Sequence, residues 1–102
     1  GQQIDGSTDT VLPMGSLKEK FQSFGWTVIE ISNGNDIDAI KMGMAEAKNE
    51  TGKGKPVGVL LKTVMGHGVD FMMHTHAWHG KAPNDEQLES ALAQNPETLG
   101  DY

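Results

Sequence analysis

All four histidines of the chain, His67, His74, His76 and His79, fall in one stretch between Met65 and Pro83. That stretch shows no helical or strand period, is long for a connection in a compact domain, and is therefore suspected of function. Its tail, HAWHGKAPND (residues 76–85), interleaves histidine with tryptophan, lysine and proline, and Gly66, Gly68 and Gly80 allow backbone to approach a ligand closely. Three readings of these residues stand side by side. The loop could be a solvated connection with incidental histidines. The H-x-H-x2-H spacing of His74, His76 and His79 could supply metal ligands, although no carboxylate accompanies it at helical spacing. Or the histidines could donate hydrogen bonds to an anion and move a proton near neutral pH. Trp78 is expected to pack the loop down onto the core and so hold His79 in place. Lys81 reads as a solvated charge, and Met42, Met44, Met65, Met72 and Met73 as adaptable gap-fillers.

The elements that must position this loop follow from pattern. Residues 1–15, with three glycines and a proline, read as loop. Ser16 and Glu19 predict a capping box opening a helix over 16–24, with Leu17, Phe21 and Phe24 on its inner stripe and Gly25 as a left-handed cap. WTVIEIS predicts a strand over 26–32. Asp36 caps a helix over 36–50 whose stripe is Ile37, Ile40, Met44 and Ala47, with Gly43 permitting close packing on a sheet. The apolar run over 57–64 predicts a strand buried on both faces, as in a parallel sheet. Asn84 or Asp85 caps a last helix over 84–95 carrying Leu88, Ala91 and Leu92. Strand, helix, strand makes a right-handed βαβ unit, so the class is α/β. Two strands are too few for a stable open sheet, so the chain reads as one slice of a larger one. In such sheets ligands bind beyond the carboxyl ends of the strands, where the 65–83 loop begins.

Composition narrows the partners. The chain has 102 residues, a single domain at most, and no cysteine, which excludes disulfides and thiolate metal sites. Its net charge of −6 and scattered basic residues argue against nucleic acid and against an anionic membrane as partner. No apolar run approaches the length of a membrane span and no signal peptide is visible; a cytoplasmic protein is the expectation. A start at Gly1 favours an internal piece of a longer polypeptide over a tagged start.

Assembled in order, GQQIDGST, FGWTVIEI, GKPVGVLLKTVMGHGVDFM and WHGKAPNDEQLESAL resemble transketolase over essentially the whole chain, and most nearly the form split into N- and C-terminal subunits. The resemblance implies the C-terminal portion of a three-layer, parallel-sheet thiamine diphosphate-binding fold, present as a partial βαβ fragment over residues 1–102. It also implies a magnesium- or calcium-dependent transferase of carbohydrate metabolism, typically of the pentose phosphate pathway. In that family the cofactor supplies carbanion chemistry by which a two-carbon ketol unit passes from a ketose phosphate to an aldose phosphate. His79 matches the histidine that reaches both the diphosphate and the substrate. Gln2 falls where a backbone carbonyl meets the metal, Ile4 where an apolar side chain packs on the cofactor rings, and Asp5 and Gly6 belong to the same turn. Met65 departs from the pattern: some members have there a lysine that touches the diphosphate, and His67 could restore part of that charge.

The family's GDG motif, its metal-binding asparagine and its activating glutamate have no counterpart in this sequence. The isolated chain is therefore expected to be inactive and to bind cofactor weakly. The implied partners are sugar phosphates and the remaining transketolase segments or a C-terminal subunit, in a homodimer or heterotetramer. Two rivals remain: a non-catalytic binding or assembly module, and a fragment of a related thiamine enzyme such as deoxyxylulose-phosphate synthase or dihydroxyacetone synthase.

Overall fold

A computed structural model describes residues 2–95; Gly1, at the head of the expected first loop, and residues 96–102 lie outside the described part. The centre is a two-stranded parallel sheet of β3 (Thr27–Ile31) and β4 (Val57–Leu61), paired in register from Thr27 with Val57 to Ile31 with Leu61. Helix α3 (Ile37–Glu50) makes the crossover between them. The class is α/β.

Alternation along β3 assigns the layers. Ile29 and Ile31 are buried on one face, and there a Cβ at Gly43 of α3 would overlap the Ile31 side chain, so only glycine lets the helix lie this close. Glu30 points to the other face and pairs with Lys18 of α2 (Leu17–Ser23) at 2.5 Å. Helices thus cover opposite sides of the sheet, a three-layer arrangement. Local chemistry fixes their ends. The Asp36 carboxylate accepts from the backbone N–H groups of Asp38 and Ala39 at 2.8 and 2.9 Å. Ser16 Oγ accepts from the Glu19 N–H at 3.2 Å. The reciprocal capping box forms at Asn84 and Gln87, opening α4 (Asp85–Gln94).

Several expectations need correction. The first fifteen residues are not all loop: β1 (Gln2–Gln3) and β2 (Gly6–Ser7) form a short antiparallel pair, followed by α1 (Thr8–Val11), which Ser7 caps. The 57–64 strand stops at Leu61, because β3 offers no partner beyond the Lys62 N–H that donates to the Ile31 carbonyl. Nor is it buried on both faces; β4 is half-buried and Leu61 is exposed. Phe24 is 82% exposed, leaving Phe21 alone to pack on Trp26, with ring centroids 5.1 Å apart. Ile37, Met44, Leu88 and Leu92 are also exposed, so the stripes of α3 and α4 are only partly used.

Among the described residues these apolar groups are left exposed, and the chain as a whole is open. Its radius of gyration is 17.2 Å, against about 13 Å for a compact domain of about 100 residues. Its surface is 7813 Å², where a compact monomer of 11.0 kDa exposes about 5600 Å². Met44, Ala47, Val57 and Val59 line an open apolar groove of about 590 Å³ along α3 and β4.

Candidate functional site

The loop after β4 is tied to the sheet before it turns away. The Lys62 carbonyl accepts from the Gly34 N–H at 2.9 Å, and Asn35 Oδ1 accepts from the Val64 N–H at 2.7 Å. Gly34 is needed there, since a Cβ would stand 2.8 Å from Leu61 Cβ. The turn after β3 and the segment after β4 are thereby locked together at the carboxyl rim of the sheet.

Beyond that rim the loop closes on itself. The His74 N–H donates to the Met65 carbonyl at 3.3 Å, and Met72 and Met73 donate to the carbonyl of buried Val69 at 3.0 and 3.1 Å. Gly66, at φ 71°, passes so near the Met72 carbonyl that any Cβ would collide with it. Trp78 fastens the second arm to the first: its indole N–H donates to the Phe71 carbonyl at 2.9 Å, and the two rings lie 5.2 Å apart. Trp78 therefore packs within the loop itself. Lys81 is not merely solvated, since its ammonium sits 4.7 Å from the Trp78 ring centroid, a cation–π contact. Asp70 and Gln94 exchange hydrogen bonds of 2.8 and 3.0 Å that tie the loop to α4.

Two clefts open on this rim, and Met65 borders both. One, of about 260 Å³, is lined by Gln2, Ser32, Asn33, Lys62 and His74 together with Thr63 to Met65. The other, of about 340 Å³, is lined by Met65, Gly66, Met72, Trp78, His79 and Gly80. His79 is exposed, with its backbone N–H bonded to the His76 carbonyl at 3.0 Å. Gln2 and His79 thus stand in neighbouring clefts rather than in one. Ile4 is 54% exposed on the β1–β2 turn, and His67 is exposed between two glycines; neither lines these clefts.

The donor set suits an anion: imidazole, ammonium, amide and hydroxyl groups, with no carboxylate lining either cleft. A cation is served far less well. Among the described residues no three His, Asp or Glu side chains converge as a metal set, so the spacing of His74, His76 and His79 does not become a metal centre. A Gln2 carbonyl could complete a metal shell built elsewhere but could not create one. Pattern reading missed Lys62, absorbed into the expected strand, and Asn35, whose side chain fixes Val64; neither has a sequence signal apart from its neighbours.

Comparison with known proteins identifies the family. Residues 2–98 match the family model described as transketolase, thiamine diphosphate binding domain. A 6-deoxy-6-sulfo-D-fructose transketolase subunit from Clostridium sp. (strain MSTE9) is 35% identical over 92 residues, which are 90% of this chain and 32% of that subunit. An apulose-4-phosphate transketolase subunit from Phocaeicola vulgatus is 32% identical over 97 residues, 95% of this chain and 34% of the relative. A transketolase of Nostoc sp. is 35% identical over 86 residues, 83% of this chain and 12% of that enzyme. The chain therefore spans about a third of the subunit relatives and far less of the long ones. An anion-suited rim on a parallel α/β sheet, matched along nearly its whole length, places the chain in the transketolase family, within its thiamine diphosphate-binding domain.

Proposed function

We propose that this chain is one part of a transketolase that moves a two-carbon ketol unit from a ketose phosphate to an aldose phosphate, and that alone it is inactive. The observation that carries the reading is the pair of clefts sharing Met65 at the carboxyl rim of β3 and β4, both free of carboxylates. Thiamine diphosphate, when bound, supplies the carbanion chemistry. The chain's own residues orient and polarise. From its cleft at this rim the His79 imidazole would hold the diphosphate and would donate to the substrate oxygen at the reacting carbons, where it could stabilise or protonate developing charge. The Gln2 backbone carbonyl would contribute one ligand to Mg2+ or Ca2+, while Ile4 and His67, which line neither cleft, would meet the cofactor rings and the diphosphate only in the assembled site.

The remaining ligands come from other transketolase segments or from a C-terminal subunit, in a cytoplasmic homodimer or heterotetramer. Two relatives named as subunits and the uncovered apolar groove beside β4 support that assembly. The test is ketol transfer between sugar phosphates by the complete polypeptide its gene encodes, with any partner subunit, thiamine diphosphate and Mg2+. His79→Asn is expected to lower kcat about 10²- to 10⁴-fold with the fold intact. Full activity in that variant would reject the assignment. A complete assembly that binds cofactor but transfers nothing would favour the assembly-module reading.

A further inference from the structure

Lys62 and His74 have no role in the reading above, yet they line the same cleft as Gln2. Among the described residues neither the Lys62 ammonium nor the His74 imidazole has a hydrogen-bond or ion-pair partner. No aspartate or glutamate lines the cleft, although the chain carries a net charge of −6. The cleft therefore gathers an ammonium and an imidazole, both able to donate hydrogen bonds, with no carboxylate among its lining residues. Serine and asparagine donors, Ser32 and Asn33, stand beside them.

The main chain of both residues is anchored at the rim. Lys62 is fixed through its N–H to the Ile31 carbonyl at 2.9 Å and through its carbonyl to the Gly34 N–H. His74 is the sole non-glycine residue with positive φ among those described, at 59°, and its N–H closes the loop onto the Met65 carbonyl. A left-handed backbone costs free energy for a residue with a Cβ, and asparagine tolerates it better than most. The sequence places a histidine there, at the edge of a basic cleft.

We propose that this cleft receives a phosphate group and that Lys62 and His74 are its anion-binding residues, with Ser32 and Asn33 as neutral donors. A phosphate, with more acceptor oxygens than a carboxylate, better matches an ammonium, an imidazole, an amide and a hydroxyl converging on one cleft. The phosphate could belong to the cofactor's diphosphate or to a sugar phosphate. The proposal deepens the transketolase reading, and rests on it for the identity of these two sources.

The test uses the complete polypeptide that the gene encodes, with any partner subunit, and the variants His74→Asn, Lys62→Met and His76→Asn. Asparagine suits the left-handed backbone, so His74→Asn removes the imidazole while keeping the loop closed; Lys62→Met, at an exposed position, is the independent second variant. The readouts are dissociation constants for inorganic pyrophosphate and thiamine diphosphate, and KM for a ketose phosphate. His74→Asn and Lys62→Met should each weaken one phosphate source about tenfold or more, as expected for a lost charged hydrogen bond, and His76→Asn should change neither. A loss for pyrophosphate and thiamine diphosphate together assigns the cleft to the cofactor. A raised sugar-phosphate KM at unchanged cofactor affinity assigns it to substrate. Wild-type affinity for all three ligands in both variants overturns the proposal. Failure of the wild-type protein to bind thiamine diphosphate, with pyrophosphate binding still dependent on His74, would sink the transketolase reading and leave the anion site standing.

Discussion

Replacing Gly43 by alanine sets two effects of similar size against each other. In an exposed helix the change stabilises by about 1 kcal/mol, because glycine loses more backbone entropy on folding. Here the new methyl would overlap Cδ1 and Cγ1 of Ile31, which is 5% exposed and, being β-branched, stiff at χ1. Overpacking of that kind typically costs about 1–3 kcal/mol. The steric term wins, giving a net loss of about 1 kcal/mol, or a fall in Tm of no more than about 2–4 °C in a polypeptide the length of the subunit relatives. Urea denaturation of the complete polypeptide, followed by tryptophan fluorescence, would measure it. Ile31→Val removes Cδ1, so the double variant should be more stable than the sum of the singles by about 0.5 kcal/mol or more. The same contact reaches the site, since the Ile31 carbonyl holds the Lys62 N–H at the cleft rim. A Gly43→Ala protein stabilised by about 1 kcal/mol, with additive behaviour in the cycle, would refute close helix–sheet packing as the reason for this glycine.

Other consequences can be checked in the same material. Trp78→Phe should strand the Phe71 carbonyl at a cost of about 0.5–1.5 kcal/mol, seen as faster hydrogen exchange across 71–80 with β3 and β4 unchanged. Gln94→Ala removes both bonds to Asp70 and should free α4, raising exchange over 85–94 but leaving the sheet protected. Gly66→Ala combines a positive φ with a collision at the Met72 carbonyl. It should cost more than about 2 kcal/mol and weaken cofactor binding in the complete enzyme, measured by thermal shift and titration. The isolated chain should show no micromolar affinity for thiamine diphosphate with Mg2+ by isothermal titration; micromolar binding would reject its dependence on other segments.

The sequence alone determined the chemistry of short range and the class of the fold. Asp36 and Asn84 are legible as caps because their side chains bond N–H groups two or three residues away. The parallel pair is legible because WTVIEIS and VGVLL are apolar and β-branched on either side of an amphipathic helix. The loop of histidines is legible as a site because no periodic element could claim it. Tertiary structure decided the rest. Periodicity puts Phe24 and Leu92 on inner faces, yet both are exposed, because burial depends on what packs against a face and not on the face itself. The left-handed backbone of His74 arises from the closure of its N–H on Met65, nine residues earlier, which no local pattern encodes. Lys62 becomes a cleft residue because β3 ends at Ile31 and leaves the residue that follows β4 at the rim. Charge and periodicity are properties of the chain, whereas which groups share a cleft is set by where strands end and how a loop folds back on them.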